Sequence, residues 1–265
     1  MPNNKWGCYL SDITIDRSTV VGAGFKLNIQ SLNLTSEFGD NWNKLPIMGV
    51  SGSGKSTLMN IMAAIEWPHS ENSRIEWVFA DGNRFEWGGG GPTPAQLSEL
   101  RRNYFGYAFQ SSTLIPHLNI AQNLTYPLEI RGVKKSIAKE KMEQVIRAIF
   151  GGPIDNWLNR FPGELSGGEL QRVALFQSMI YDPAVMFADE PTGSLDPETR
   201  NMVMRVLTDW VDQLPSGRML IWVTHHENDP QANGCNHRLM VSDGNCRSQY
   251  YLEDESAWKY HDRDN

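Results

Sequence analysis

No apolar stretch of the 265 residues approaches the ~20 needed to cross a bilayer. The longest apolar runs, around Val185–Ala188 and Met219–Val223, have only the length of buried strands. The first ten residues lack a long apolar core, so the sequence predicts no signal peptide and a soluble chain whose membrane role, if any, runs through a partner. Cysteine is scarce: Cys8, Cys235 and Cys246 cannot close a disulfide framework and lack zinc-site spacing. Reduced thiols in a cytosolic setting follow. Basic charge is in deficit, with 24 Lys and Arg against 31 Asp and Glu and a formal net charge of -7. Such a chain is poorly suited to wrapping a phosphate backbone, so no nucleic-acid partner is expected. Repeats of 20–50 residues are absent as well, which removes the solenoids.

What is present suits a globular domain. The hydrophobic fraction of 40% is enough for a substantial core. Leu45–Val50 reads as a buried strand entering a glycine-rich turn, and Leu58, Ile61, Met62 and Ile65 beyond it fall at helical spacing. Helices are predicted over Lys134–Phe150, Leu170–Ile180 and Glu198–Leu214, and strands over Val185–Ala188, Met219–Thr224 and Arg238–Val241. Buried strands alternating with helices imply an α/β domain with a mainly parallel sheet. Residues 112–165 show no convincing strand and read as a helical insertion. Gly88–Gly91 reads as a flexible connection, and the charged residues after Leu252 as a solvated tail. Trp67, Trp77 and Trp87 recur every ten residues, for which core and sheet packing is the expectation.

Three motifs carry chemistry. Gly49-Val50-Ser51-Gly52-Ser53-Gly54-Lys55-Ser56-Thr57 matches G-x-x-x-x-G-K-[ST] between a strand and a helix. Small residues there let successive backbone N–H groups converge on phosphate oxygens, and the helix N-terminus adds its own unpaired donors. Lys55 can reach the outer phosphates and the Ser56 hydroxyl can ligate Mg²⁺. Val185–Ala188 ends in Asp189 and Glu190, carboxylates at the edge of the sheet where ligands of such folds bind. Asp189 is placed as a metal ligand, and Glu190 as the group that polarises an attacking water. The third motif is Leu165-Ser166-Gly167-Gly168-Glu169 followed by Gln171-Arg172. Ser166 caps a helix there, and two glycines offer donors to a second anion.

LSGGE with QRV resembles the signature of the ATP-binding-cassette ATPases, and the likeness runs from about Leu34 to Gly244 with the motifs in the family's order. By that resemblance Gln110 is the Q-loop glutamine, contacting Mg²⁺ and the attacking water. Ser194-Leu195-Asp196 is the D-loop at a dimer interface, and His225 the switch histidine on the γ-phosphate. The implied fold is a P-loop NTPase of ABC type, with a mainly parallel core sheet, antiparallel N-terminal strands and a helical subdomain at about 112–165. A single nucleotide-binding domain would span 1–252, with a polar tail over 253–265. Phe187–Asp196 and the stretch Phe109-Gln110 to Leu118 are similar to the lipoprotein-release, macrolide-export and cell-division group. The resemblance implies an ATPase using ATP and Mg²⁺, with Ser166, Gly167, Gly168, Glu169 and Asp196 completing the nucleotide site of a second copy in a homodimer. It further implies an integral membrane permease docking near the Q-loop, at Phe109–Ile130, and a peripheral position on the cytoplasmic face of the inner membrane. Two other readings stay open, an ATP-gated regulator without transport and a soluble non-transport cassette ATPase.

The chain departs from the family at several points. No clear adenine-stacking aromatic precedes the phosphate loop, Phe25 being a candidate by distance alone. Phe176-Gln177-Ser178 replaces the usual Ala-Arg-Ala, and His226 stands where an Asp commonly follows the switch histidine.

Overall fold

The computed structural model describes residues 6–17, 26–35, 41–68, 70–109, 114–150, 153–193, 195–242, 244–252 and 257–260. Strands β1 (Gly7–Asp16) and β2 (Lys26–Thr35) pair antiparallel from Gly7↔Thr35 to Asp16↔Lys26. Burial alternates along most of β2, the pattern of a sheet with one covered face. β3 (Lys44–Met48) is buried throughout, as are β8 (Met219–Val223) and all but the last residue of β7 (Val185–Asp189). Covered on both faces, these strands read as unbroken apolar runs, which is why they were legible in sequence.

One sheet runs in the order β5-β4-β1-β2-β10-β9-β3-β8-β7-β6, with β4 at Arg74–Val78, β5 at Arg84–Gly88, β6 at Phe105–Ala108, β9 at His237–Ser242 and β10 at Asn245–Leu252. From β9 to β6 every pairing is parallel, whereas β1, β2, β4 and β5 pair antiparallel, matching the expected division. Pro46 sits inside central β3. Asn43 and Ile47 accept from the N–H groups of Leu220 on β8 and Thr224 just after it, so Pro46 faces β9, whose rungs begin only at Ile47. Its missing N–H therefore breaks no rung.

Helix α1 (Lys55–Met62) packs into a core shared with β1, β2 and β4, where Trp77 and Trp87 are buried. Trp67 is 42% exposed, lying against Gly91, so the three-tryptophan packing expectation holds for two of the three. A short α2 (Pro94–Glu99) runs through a π-helical turn at Leu100–Tyr104 into β6. Across the sheet, α6 (Gly167–Met179) and α7 (Pro197–Asp212) cover Met186, Leu220 and Trp222. The region expected to be a helical insertion holds α3 (Ile120–Ile130), α4 (Lys135–Phe150) and α5 (Asp155–Leu158), with its own core against α6.

Two expectations need correction. Gly88 and Gly89 are closely packed rather than loose, because a Cβ at either would fall within 2.7 Å of a carbonyl oxygen of Ser73 or Ser70. Part of the polar tail forms β11 (Ala257–Tyr260), antiparallel to β10. Its Trp258 ring lies under the Arg238 guanidinium at 4.3 Å and against Tyr251, so apolar ring faces give the charged segment something to bury.

Candidate functional site

Between β3 and α1 the chain passes through three glycines in the left-handed half of conformational space, Gly49 (φ 145), Gly52 (φ 78) and Gly54 (φ 102). At Gly49 the requirement is also steric, since a Cβ would lie 2.1 Å from the Val241 carbonyl oxygen. Gly54 caps α1 without a side-chain hydrogen bond, and no acid sits in the first turn. The helix thus presents unpaired N–H groups and its positive dipole end to the loop. Lys55 is buried and curls back, its Nζ donating to the carbonyls of Gly49 at 3.0 Å and Val50 at 2.9 Å. The hydroxyl of Ser53 is buried with no partner among the described residues, while Ser51 is exposed at the turn and Thr57 is buried beneath it.

β7 lies two strands from β3, and its last residue, Asp189, is in register with Val223 of β8. Ser56 Oγ donates to Asp189 Oδ1 at 3.0 Å, joining the phosphate loop to the acidic edge. Burial pushes the Asp189 carboxyl above its ordinary range; the Ser56 hydroxyl pulls it back, and the neighbouring Glu190 charge raises it further. Glu190 has φ 45, uncommon for a residue with a side chain, and its carbonyl accepts from the Gly193 N–H at 3.1 Å. His225 Nδ1 lies 3.8 Å from Glu190 Oε1, a separation too long for a hydrogen bond. The loop Gly49–Thr57, Asp189, Glu190 and His225 therefore meet at one end of the sheet.

The second anion motif stands apart. Ser166 caps α6, with Glu169 accepting from its N–H and hydroxyl at 2.8 Å, an arrangement that holds the Glu169 carboxyl below its ordinary range. The capping box leaves the N–H groups of Gly167 and Gly168 as the free donors of the first turn. Space beyond Gly167 is open, since a Cβ there meets nothing within 4 Å. Among the described residues no hydrogen bond joins Ser166–Glu169 to the phosphate loop. The nearest link is Gln171 Nε2, which donates to the Pro191 carbonyl at 3.3 Å. Asp196 caps α7, accepting from the N–H groups of Glu198 and Thr199. Gln110, Phe25 and Ser194 lie outside the described residues. Sequence reading missed the support beneath His225, in which Thr224 Oγ1 donates to buried Asp229 at 2.6 Å. The acid opening a short helix at Asn228-Asp229-Pro230 was the available signal.

Backbone donors of this kind, a pair of hard oxygens and a nearby carboxylate are the groups from which a polyphosphate site is built. Comparison with known proteins agrees. A family described as "ABC transporter" matches residues 31–193. The "ABC transporter ATP-binding protein YtrE" of Bacillus subtilis (strain 168) is 34% identical over 198 residues, 75% of this chain and 79% of its own length. The "lipoprotein-releasing system ATP-binding protein LolD" of Blochmanniella floridana is 35% identical over 204 residues, covering 77% of this chain and 80% of its own. Other relatives are longer: the chain spans 30% of the "probable syringafactin export ATP-binding/permease protein SyfD" of Pseudomonas syringae, at 33% identity over 80% of this chain. In fold, the dimeric structure of "MJ0796, a Bacterial ABC Transporter Cassette" matches with a TM-score of 0.71, covering 92% of this chain and 98% of that one at 24% identity.

Proposed function

The chain belongs to the ABC transporter family, and from that premise we propose that it is the ATP-binding and ATP-hydrolysing subunit of an export machine. The observation that supports this is the Ser56–Asp189 bond, which joins the Gly49–Thr57 turn to the acidic end of β7 that precedes Glu190. Magnesium fits the residues present, because Ser56 Oγ and Asp189 Oδ1 are hard oxygen donors 3.0 Å apart beside the loop. These two, with Gln110, would hold it, and when bound it neutralises charge on the outer phosphates.

The triphosphate occupies the N–H cradle of Gly49, Ser51, Gly52, Ser53, Gly54 and Thr57. Lys55 exchanges its two carbonyl partners for phosphate oxygens, a stronger charge-assisted bond. Glu190 accepts a proton from the attacking water as its oxygen bonds to the γ-phosphorus, and the β–γ bridging oxygen leaves with ADP. His225, at the mouth of the site, donates to the γ-phosphate and stays in contact with Glu190. Gly167 and Gly168, with the Ser166 hydroxyl and Glu169, complete the site of a second copy arranged head to tail, and Asp196 lies at that interface. Closure on ATP and reopening after hydrolysis then transmit work to a membrane permease. Phe109, which precedes Gln110 in the chain, and Tyr126 and Ile130 on α3 are exposed apolar residues that would offer its docking surface. Among the described residues no helix is long and apolar enough to cross a membrane, so the permease would hold this subunit on the cytoplasmic face. One nucleotide-binding domain spans 1–252, with β11 appended.

Phosphate release tests the chemistry. Glu190→Gln is expected to lose about 10²–10⁴-fold in rate, the usual contribution of a positioned base, with ATP affinity retained. A Glu190→Gln protein as fast as wild type would remove Glu190 from that role.

A further inference from the structure

His226 directly follows His225 at the end of the acidic site, and no step assigned above uses it. Its ring centroid lies 4.1 Å from that of His225, with the planes 40° apart. Its Nε2 is buried with no hydrogen-bond partner among the described residues, so this edge of the ring contributes no hydrogen bond. The backbone beneath is pinned: His226 N–H donates to Thr224 Oγ1 at 3.2 Å, and Thr224 donates in turn to buried Asp229. His225, by contrast, is 51% exposed, and Glu190 at 3.8 Å is too distant to fix it by a hydrogen bond. An exposed imidazole with one loose contact samples several rotamers, and the His226 ring removes part of that freedom.

We propose that His226 is a positioning residue, whose ring face braces the His225 imidazole toward Glu190 and the γ-phosphate. The proposal rests on the reading of His225 as a γ-phosphate contact. The charged and titratable groups around His226 favour a neutral ring. Burial, then Arg200 on α7 and His225 alongside, hold its pKa below the ordinary value, against the opposing pull of Asp229 and Glu190. A neutral ring packs against its neighbour without placing a charge beside it. Because the contact is made by a face, an aromatic ring without nitrogens serves equally well. Replacing the unpartnered Nε2 by carbon also removes a desolvated polar atom.

Five variants with steady-state ATPase kinetics and thermal melts test this. His226→Ala and His226→Ser are expected to lower kcat about 10–100-fold, the range a small misplacement near a reacting centre produces. KM for ATP should stay within about twofold, because the phosphate loop is untouched. His226→Phe is expected to recover kcat to within about threefold of wild type while melting no lower. His225→Ala supplies the control, with kcat falling at least as far as in His226→Ala. If His225→Ala keeps the wild-type rate, the reading of His225 fails and the brace with it. If His225→Ala is impaired while His226→Ala and His226→Ser are as fast as wild type, the brace alone is overturned. Failure of His226→Phe alongside recovery by His226→Asn would also overturn it, by assigning the role to a hydrogen bond. Should His226→Ala not fold, His226→Ser and His226→Phe decide the question between them.

Discussion

Asp189 ends β7 half buried and facing the charge of Glu190, and its carboxyl is pushed upward as a result, against the opposing pull of the Ser56 hydroxyl. An acid whose folded pKa lies above its unfolded value of about 3.9 takes up a proton on folding. The stability gained from that neutral form is present below the unfolded value and is lost as pH rises through the raised folded one. At pH 7 the carboxylate therefore strains the metal-free fold. Asp189→Asn keeps the Ser56 bond and is expected to raise Tm at pH 7 in chelator, with the advantage narrowing as pH falls toward about 4. The same variant should lose metal-dependent nucleotide binding. Melting curves at several pH values, paired with a fluorescent-nucleotide titration, check both halves. At this scale the candidates came from the sequence, Gly49–Thr57, Asp189, Glu190 and Ser166–Glu169 through residue type and spacing and His225 through the family resemblance. The resting contacts of Lys55, the left-handed Glu190 and the Thr224–Asp229 bond were not, because they depend on which chains lie side by side.

Among the elements, the departure at Phe176-Gln177-Ser178 finds its reason in packing between α3 and α6. Asn123 of α3 is fully buried and organises the turn before its own helix. Its side chain accepts from Ile115 N–H at 2.8 Å and donates to the carbonyls of Ile115, Leu118 and Asn119. Gln177 of α6 donates to the Asn123 carbonyl at 2.9 Å, tying the helix that carries Ser166 to the segment following the Q-loop. Removing a hub that leaves buried partners unsatisfied costs about 1–3 kcal/mol. Asn123→Ala should therefore lower the unfolding free energy from urea titration by that amount, with the midpoint falling at unchanged slope, and a change within experimental error would show that water replaces the side chain. The doubly covered strands β3, β7 and β8 were legible as apolar runs. β1, β2, β4 and β10 were not placed, because polar residues interrupt their apolar ones and such strands are defined by their neighbours rather than by their own composition. β11 escaped for the same reason, its burial depending on Arg238 and Tyr251.

For the whole molecule, the sheet gathers the phosphate loop, Asp189, Glu190 and His225 at one end, while the donors of Gly167 and Gly168 remain unspent elsewhere on the surface. That separation is the reason two copies are invoked, each offering its signature turn to the other's nucleotide. Gly167→Asp isolates this step. The position is open, so the side chain fits, and an acid in the first turn favours the isolated helix. A carboxylate placed where the partner's γ-phosphate arrives would repel it. The decisive measurement is sedimentation equilibrium of Glu190→Gln with ATP and Mg²⁺, under conditions where the bound nucleotide is not hydrolysed. The account predicts a species of twice the 30.0 kDa chain mass with ATP, a single chain without it, and a single chain again when Gly167→Asp is added. A protein that binds ATP yet stays a single chain, with its permease present or absent, would contradict the sandwich, as would a dimer indifferent to Gly167→Asp.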